Sequence, residues 1–128
     1  MSILLDTHAF LWWLTADPRL SAKAKAFIDD GESARYVSSV TAFEIANKVR
    51  IGKLDFAREI SERFNQFVNA GNFHRLDISM QHALLAGQMT GEHKDPFDRL
   101  LAAQCKLDGL SLVSADTAFR QFELDILW

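Results

Sequence analysis

Apolar positions along this chain alternate between short unbroken runs and longer stretches spaced at helical intervals. Ile3-Leu4-Leu5 is a run of the first kind, and Asp6-Thr7 behind it offers a helix N-cap before Ala9-Phe10-Leu11-Trp12-Trp13-Leu14. The pattern therefore predicts a strand and then a helix. Ala22–Ile28 reads as a second helix, and Tyr36-Val37-Ser38 as a second strand after the turn Asp29-Asp30-Gly31-Glu32. Thr41 to Arg50 is helical, with Gly52 just beyond its end, and Thr41-Ala42-Phe43-Glu44 has the spacing of a capping box. From there Phe56, Ile60, Phe64, Phe67 and Val68 recur against a polar face of Arg58, Glu59, Glu62, Arg63 and Gln66. That periodicity predicts one amphipathic helix closing near Gly71. A third strand at Phe73–Leu76, a helix at Met80–Gln88, and a longer helix from Pro96 to Leu107 ended by Gly109 follow. Leu110–Ser114 is a strand, a short helix starts at Thr117, and Leu124–Leu127 is the last strand.

Strands separated by helices imply right-handed crossovers and a parallel sheet covered on both faces. The expected fold class is α/β, in three layers, with about five strands between helices. No repeat, linker or low-complexity tract breaks the pattern, so a single domain spanning 1–128 is expected. Sheets of this kind bind ligands beyond the carboxyl ends of their strands, where the strand order reverses.

Composition adds limits. Ten Phe and three Trp among 128 residues, with 48% apolar positions, suffice for a core without disulfides. The single cysteine, Cys105, lies in the helical run Leu100–Leu107 and has no partner within the chain, which suits a structural thiol and a reducing cytoplasm. No stretch resembles a signal peptide, and none approaches the roughly 18 apolar residues of a membrane span, so a soluble protein without a membrane partner is expected. The net charge of −3 argues against a protein that coats nucleic acid, because phosphate neutralisation needs a net basic face. It does not argue against a metal-dependent nuclease, whose site concentrates carboxylates.

Four acidic positions are candidates for chemistry. In the stretch HKDPFDRLLAAQ, from His93 to Gln104, Asp95 can cap the helix, Pro96 takes its first position, and Asp98 sits in its first turn. Asp6 and Asp116 can cap the helices that follow their strands, and Glu44 completes a capping box. Each has a purely structural explanation. Together, Asp6 and Asp116 follow strands at their carboxyl ends while Glu44 and Asp98 begin helices that can start on the same edge. Carboxylates brought together there raise one another's pKa values, and a Mg²⁺ or Mn²⁺ ion would offset that repulsion with oxygen ligation.

In order along the chain, LLDTHAF, the glutamate of TAFEIANK, PFDRLLAAQ and LVSAD resemble the motifs of a PIN-domain ribonuclease, and most of all those of VapC toxins from type II toxin–antitoxin systems. The resemblance runs through the ending Ile126-Leu127-Trp128. It implies a PIN-like fold, a metal-dependent endoribonuclease working through metal-activated water, and Mg²⁺ or Mn²⁺ as cofactor. It assigns the metal to Asp6, Glu44, Asp98 and Asp116, with Thr7 and Ser114 as supporting hydroxyls. Asp95 falls outside the motif and stays a cap. His8 departs from the Asn or Ser that many relatives carry there. The partners implied are an RNA substrate, a cognate antitoxin and a second copy of the chain.

Around this set, Lys48, Arg50, Lys53, Lys94 and Arg99 lie close in sequence to Glu44 or Asp98. They suit a rim for RNA phosphates, or equally a solvated face on which Lys48 and Arg50 complement a helix C-terminus. The first helix is apolar almost all round, which implies either a thick core over it or a partner such as an antitoxin segment or second copy. His74, His82 and His93 show no ligand spacing to one another and read as surface or core residues. Three other functions fit less well. A receiver-type phosphoacceptor resembles a domain with an acidic pair after its first strand, but Asp6 is followed by Thr7-His8, which also breaks the Asp-x-Asp of haloacid-dehalogenase-like phosphatases. A catalytically inactive PIN-like binding module would not need all the acidic positions filled.

Overall fold

A computed structural model describes all residues, 1–128, and builds them around one parallel sheet of order β3-β2-β1-β4-β5. Its strands are β1 (Ser2–Leu5), β2 (Ala34–Ser38), β3 (His74–Leu76), β4 (Ser111–Val113) and β5 (Ile126–Leu127). Central β1 carries Ile3 and Leu5 into one apolar cluster and Leu4 into another, all three fully buried, as expected for a strand covered on both faces. Leu5 lies opposite Val37 on one side and Val113 on the other, so the carboxyl ends of β1, β2 and β4 are level. The chain runs from β1 outward through β2 to β3 and then crosses to β4. The strand order therefore reverses between β1 and β4, and Asp6 lies at that point, its N–H donating to Val113 O at 3.1 Å.

The helices are α1 (Thr7–Leu14), α2 (Ala22–Asp29), α3 (Ser39–Arg50), α4 (Arg58–Glu62), α5 (Phe64–Ala70), α6 (Met80–Gln88) and α7 (Pro96–Asp108). The α/β class, the parallel sheet of five strands and the flanking helices are those expected from the sequence.

Local departures have local causes. Helix α3 starts at Ser39, because Ser38 at the end of β2 accepts from the Val40 N–H at 3.0 Å and takes the N-cap role. Thr41 is consequently buried inside the helix, no capping box forms there, and Glu44 falls in the second turn. The long amphipathic helix expected from Phe56 is divided. Asp55–Ala57 forms a 3₁₀ turn, and Arg63 leaves helical geometry between α4 and α5 (φ −117°, ψ 31°). That bend brings Phe64 to 5.5 Å from the Phe10 ring, while Phe56 is left 57% exposed. The last helix, Thr117–Phe122, is 3₁₀, with three residues per turn, so Phe119 and Phe122 stack on one face and both are buried.

The apolar helix α1 is covered largely by its own chain. Trp12 meets Trp128 at 5.8 Å, with the Arg19 guanidinium 5.0 Å from its ring, and Trp13 meets Phe73 edge-on at 5.3 Å. Trp13 also donates from Nε1 to Asp29 at 2.9 Å. The exposed large apolar side chains lie elsewhere, among them Met80 and Leu84 of α6. No helix is long and apolar enough to cross a membrane.

Candidate active site

The strand ends and helix starts meet at the carboxyl edge of the sheet, where a pocket of about 140 Å³ is lined by Asp6, Glu44, Asp98 and Asp116 together with Thr7, His8, Lys48 and Asp95. Asp6 follows β1 and caps α1, its Oδ1 accepting from the Ala9 N–H at 2.8 Å. Asp116 follows β4 and caps the 3₁₀ helix in the same manner, accepting from the Ala118 N–H at 2.9 Å. Its own N–H donates to Ser114 Oγ at 3.0 Å, so the buried Ser114 hydroxyl shapes the turn that presents Asp116. Pro96 opens α7, Asp95 caps it by accepting from the Phe97 N–H at 2.9 Å, and Asp98 one turn in projects to the pocket.

Glu44 is held at both oxygens. Thr7 Oγ1 donates to Oε1 at 2.6 Å, and Lys48 donates from Nζ to Oε2 at 2.8 Å. Because Thr7 gives its proton to Glu44, the 3.2 Å contact between the Thr7 and Thr41 hydroxyls has Thr41 as donor. Thr7 is thus the relay, and Thr41 the outer donor, of a hydrogen-bonded chain that ends on Glu44. Asp98 Oδ2 lies 2.7 Å from His93 Nε2.

Burial, and after it charge crowding, registers on these carboxylates. Burial pushes Asp6 from its ordinary 3.8 up to about 6, Asp98 and Glu44 add to the rise, and the Ser114 hydroxyl and Ala9 N–H oppose it. Asp98 is also raised, first by burial and then by Asp95 and Asp116, against the contact with His93. His8, exposed at the pocket rim, is lowered by partial desolvation and then by Lys48. The donor set is one of hard oxygens whose shared negative charge is only partly offset by Lys48, which suits a divalent cation of the Mg²⁺ or Mn²⁺ kind. As they stand, no three acidic, imidazole or thiol groups are gathered into a set that could hold a metal ion.

The basic residues separate. Lys48 lines the pocket, paired with Glu44. Lys94 lines a neighbouring open cleft of about 710 Å³ together with His93 and Arg99. Arg50 donates to Asn47 at 2.6 Å, and both it and Lys53 are exposed near the end of α3, outside the lining of either hollow. Arg99 is engaged within the chain: Nε donates to Ala86 O at 2.8 Å, Nη1 to His93 O at 2.9 Å, and Nη2 to Met89 O. Spacing to the other histidines gives no sign that His93 meets Asp98. The sign that the sequence does hold is its place five residues ahead of Asp98, at the entrance to the same helix.

A family model described as PIN domain matches residues 3–124. Among solved structures, the chain is similar to VapBC2 from Rickettsia felis bound to a DNA fragment from their promoter, with a TM-score of 0.71 and 16% identity over 98% of this chain and 97% of that one. It is similar also to FitAB bound to an IR36 DNA fragment (TM-score 0.67, 19% identity, 98% and 93% covered) and to FitAcB from Neisseria gonorrhoeae (0.65, 22%, 98% and 96%). At these identities the likeness is one of fold. Comparison with curated proteins finds no significant match.

Proposed function

Because the chain belongs to the PIN-domain family, we propose that it is a metal-dependent endoribonuclease and the toxin of a toxin–antitoxin pair. The observation that carries the catalytic reading is the convergence of Asp6, Glu44, Asp98 and Asp116 on one pocket at the reversal of strand order. These carboxylates would hold Mg²⁺ or Mn²⁺, which when bound polarises a scissile phosphate and lowers the pKa of water. Thr7 and Lys48 fix Glu44, and Ser114 shapes the turn at Asp116, so these two side chains are positioned by the chain itself. The reading needs no protein nucleophile. Cys105 is unsuited to be one, its thiol pushed by burial up to about 12.

The pocket is small for RNA, and the adjoining open cleft offers the approach, with Lys94 on its wall and Lys48 at the pocket itself. Both are the cations we assign to backbone phosphates. Arg50 and Lys53 supply weaker, more distant positive charge. Arg99 was also a candidate on its place in the sequence, but its guanidinium is held by backbone carbonyls, which favours a structural role.

The proposed partners are a protein antitoxin, supported by structural neighbours that are VapBC and FitAB assemblies, and a second copy of the chain. A reducing cytoplasm is the proposed setting. Family membership sets aside the receiver-type reading, and a binding module without catalysis is disfavoured because all the acidic positions are filled.

Incubating the purified chain with single-stranded RNA, with and without Mg²⁺, tests the proposal. Cleavage that needs the ion and disappears with chelator is expected; cleavage indifferent to chelator, or none with Mg²⁺ present, would contradict it.

A further inference from the structure

The loop leading into α7 has no regular structure, yet several tethers hold it. Arg99 donates to His93 O at 2.9 Å and to Met89 O, and Gln121 Oε1 accepts from the His93 N–H at 3.1 Å. Gly91, at φ +119°, lets the backbone pass so near that an added Cβ would lie 2.9 Å from that same Gln121 oxygen. The His93 ring then packs 5.7 Å from Phe122 and 6.5 Å from Phe119, both buried. These contacts fix one imidazole whose Nε2 meets Asp98 Oδ2 at 2.7 Å. An ionised carboxylate only accepts, so the imidazole carries its proton on Nε2.

We propose that His93 is a positioning residue that holds Oδ2 of Asp98 and thereby sets how this carboxylate faces a divalent cation. The inference rests on the metal-site reading and deepens it. An aspartate tip turns in a broad torsional well, so a fixed donor at one oxygen selects an orientation that the backbone alone does not. Hydrogen-bond partners of ligating groups typically account for tenfold to hundredfold in metal affinity. Arg99 and Gln121 act one step further out, by holding the loop that carries His93. A purely structural brace would need the ring against Phe119 and Phe122 but not its N–H, and this difference can be measured.

The experiment is Mn²⁺ binding to the full chain without RNA, followed by the electron paramagnetic resonance of free Mn²⁺. His93→Phe keeps an aromatic ring and loses the donor, whereas His93→Gln loses the ring and keeps an N–H. We expect His93→Phe to weaken Mn²⁺ binding about tenfold or more and His93→Gln to stay within about threefold of wild type. In an Asp98→Asn background His93→Phe should add no further loss, because the carboxylate it positions is gone. Metal-free melting confirms that each variant is folded, and His93→Leu replaces the phenylalanine variant if that one is not. Unchanged affinity in the donorless variant, or an equal loss in the Asp98→Asn background, overturns the positioning role while leaving the metal site standing. Failure of the wild type to bind Mn²⁺ overturns both.

Discussion

Asp95 and Asp98 stand within one turn of each other at the same helix start, yet their surroundings differ. Asp95 is exposed, and its Oδ1 accepts from the free amides of Phe97 and Asp98. Asp98 has a side chain only 19% exposed, contacts an imidazole, and is raised in pKa by burial and by Asp95 and Asp116. The first carboxylate stabilises the helix, while the second is held in an acidic pocket at some cost to the fold. A capping position therefore does not distinguish the two roles, whereas burial does: both residues line the pocket, but only Asp98 is withdrawn from solvent.

Amide substitution at each position should separate the two residues most strongly. Asp98→Asn should lower RNA cleavage by a factor on the order of a hundred or more, since it removes a charged oxygen from the proposed ion. Asp95→Asn, itself a good N-cap, should keep the helix and most of the activity. Equal and mild losses in a cleavage assay would make both residues caps.

Stability sharpens the same contrast at Asp6. Its folded pKa of about 6 lies above the ordinary 3.8, so in that window the folded state binds more protons than the unfolded. Metal-free stability should accordingly fall as pH rises from about 4 to about 6 and level off beyond, a contribution of roughly 3 kcal/mol at most. Asp6→Asn should flatten that slope and be more stable than wild type at pH 7 in chelator, as read by urea melts. A wild-type slope identical to that of Asp6→Asn would remove Asp6 as its source.

Adding the ion should reverse the cost. At about ten to a hundred times its dissociation constant, Mn²⁺ should stabilise the wild type by roughly 1–3 kcal/mol, and Asp98→Asn by less. Equal shifts in melting temperature would place binding elsewhere. The smallest effect concerns the helix that carries Glu44: Ser38→Ala should cost about 1 kcal/mol by removing the observed cap. No change in a denaturant melt would argue that Ser38 does not cap α3.

The parts legible in the sequence share a physical basis. Asp6 and Asp116 each sit where an apolar strand gives way to a helix, so their place at the sheet edge followed from topology, and Pro96 marked the start of α7 beside Asp98. The sequence is ambiguous where two local solutions compete. Ser38 and Thr41 both suit an N-cap, and burial of Thr41 beside Thr7 decided for Ser38. The bend at Arg63 has no sequence breaker and follows from seating Phe64 on Phe10. Contacts between distant segments were invisible: Arg99 looked like a free cation until Ala86, Met89 and His93 surrounded it, and the link from His93 to Asp98 depends on a loop held by Gln121.

Everything proposed for the pocket depends on its four carboxylates holding a divalent cation. Crystals of the chain grown or soaked with Mn²⁺ and measured for anomalous scattering would locate the ion directly. A peak within about 2.0–2.4 Å of oxygens from Asp98 and at least one of Asp6, Glu44 and Asp116 is the predicted result. A peak only at other surface carboxylates, or none in the pocket at millimolar Mn²⁺, would contradict it.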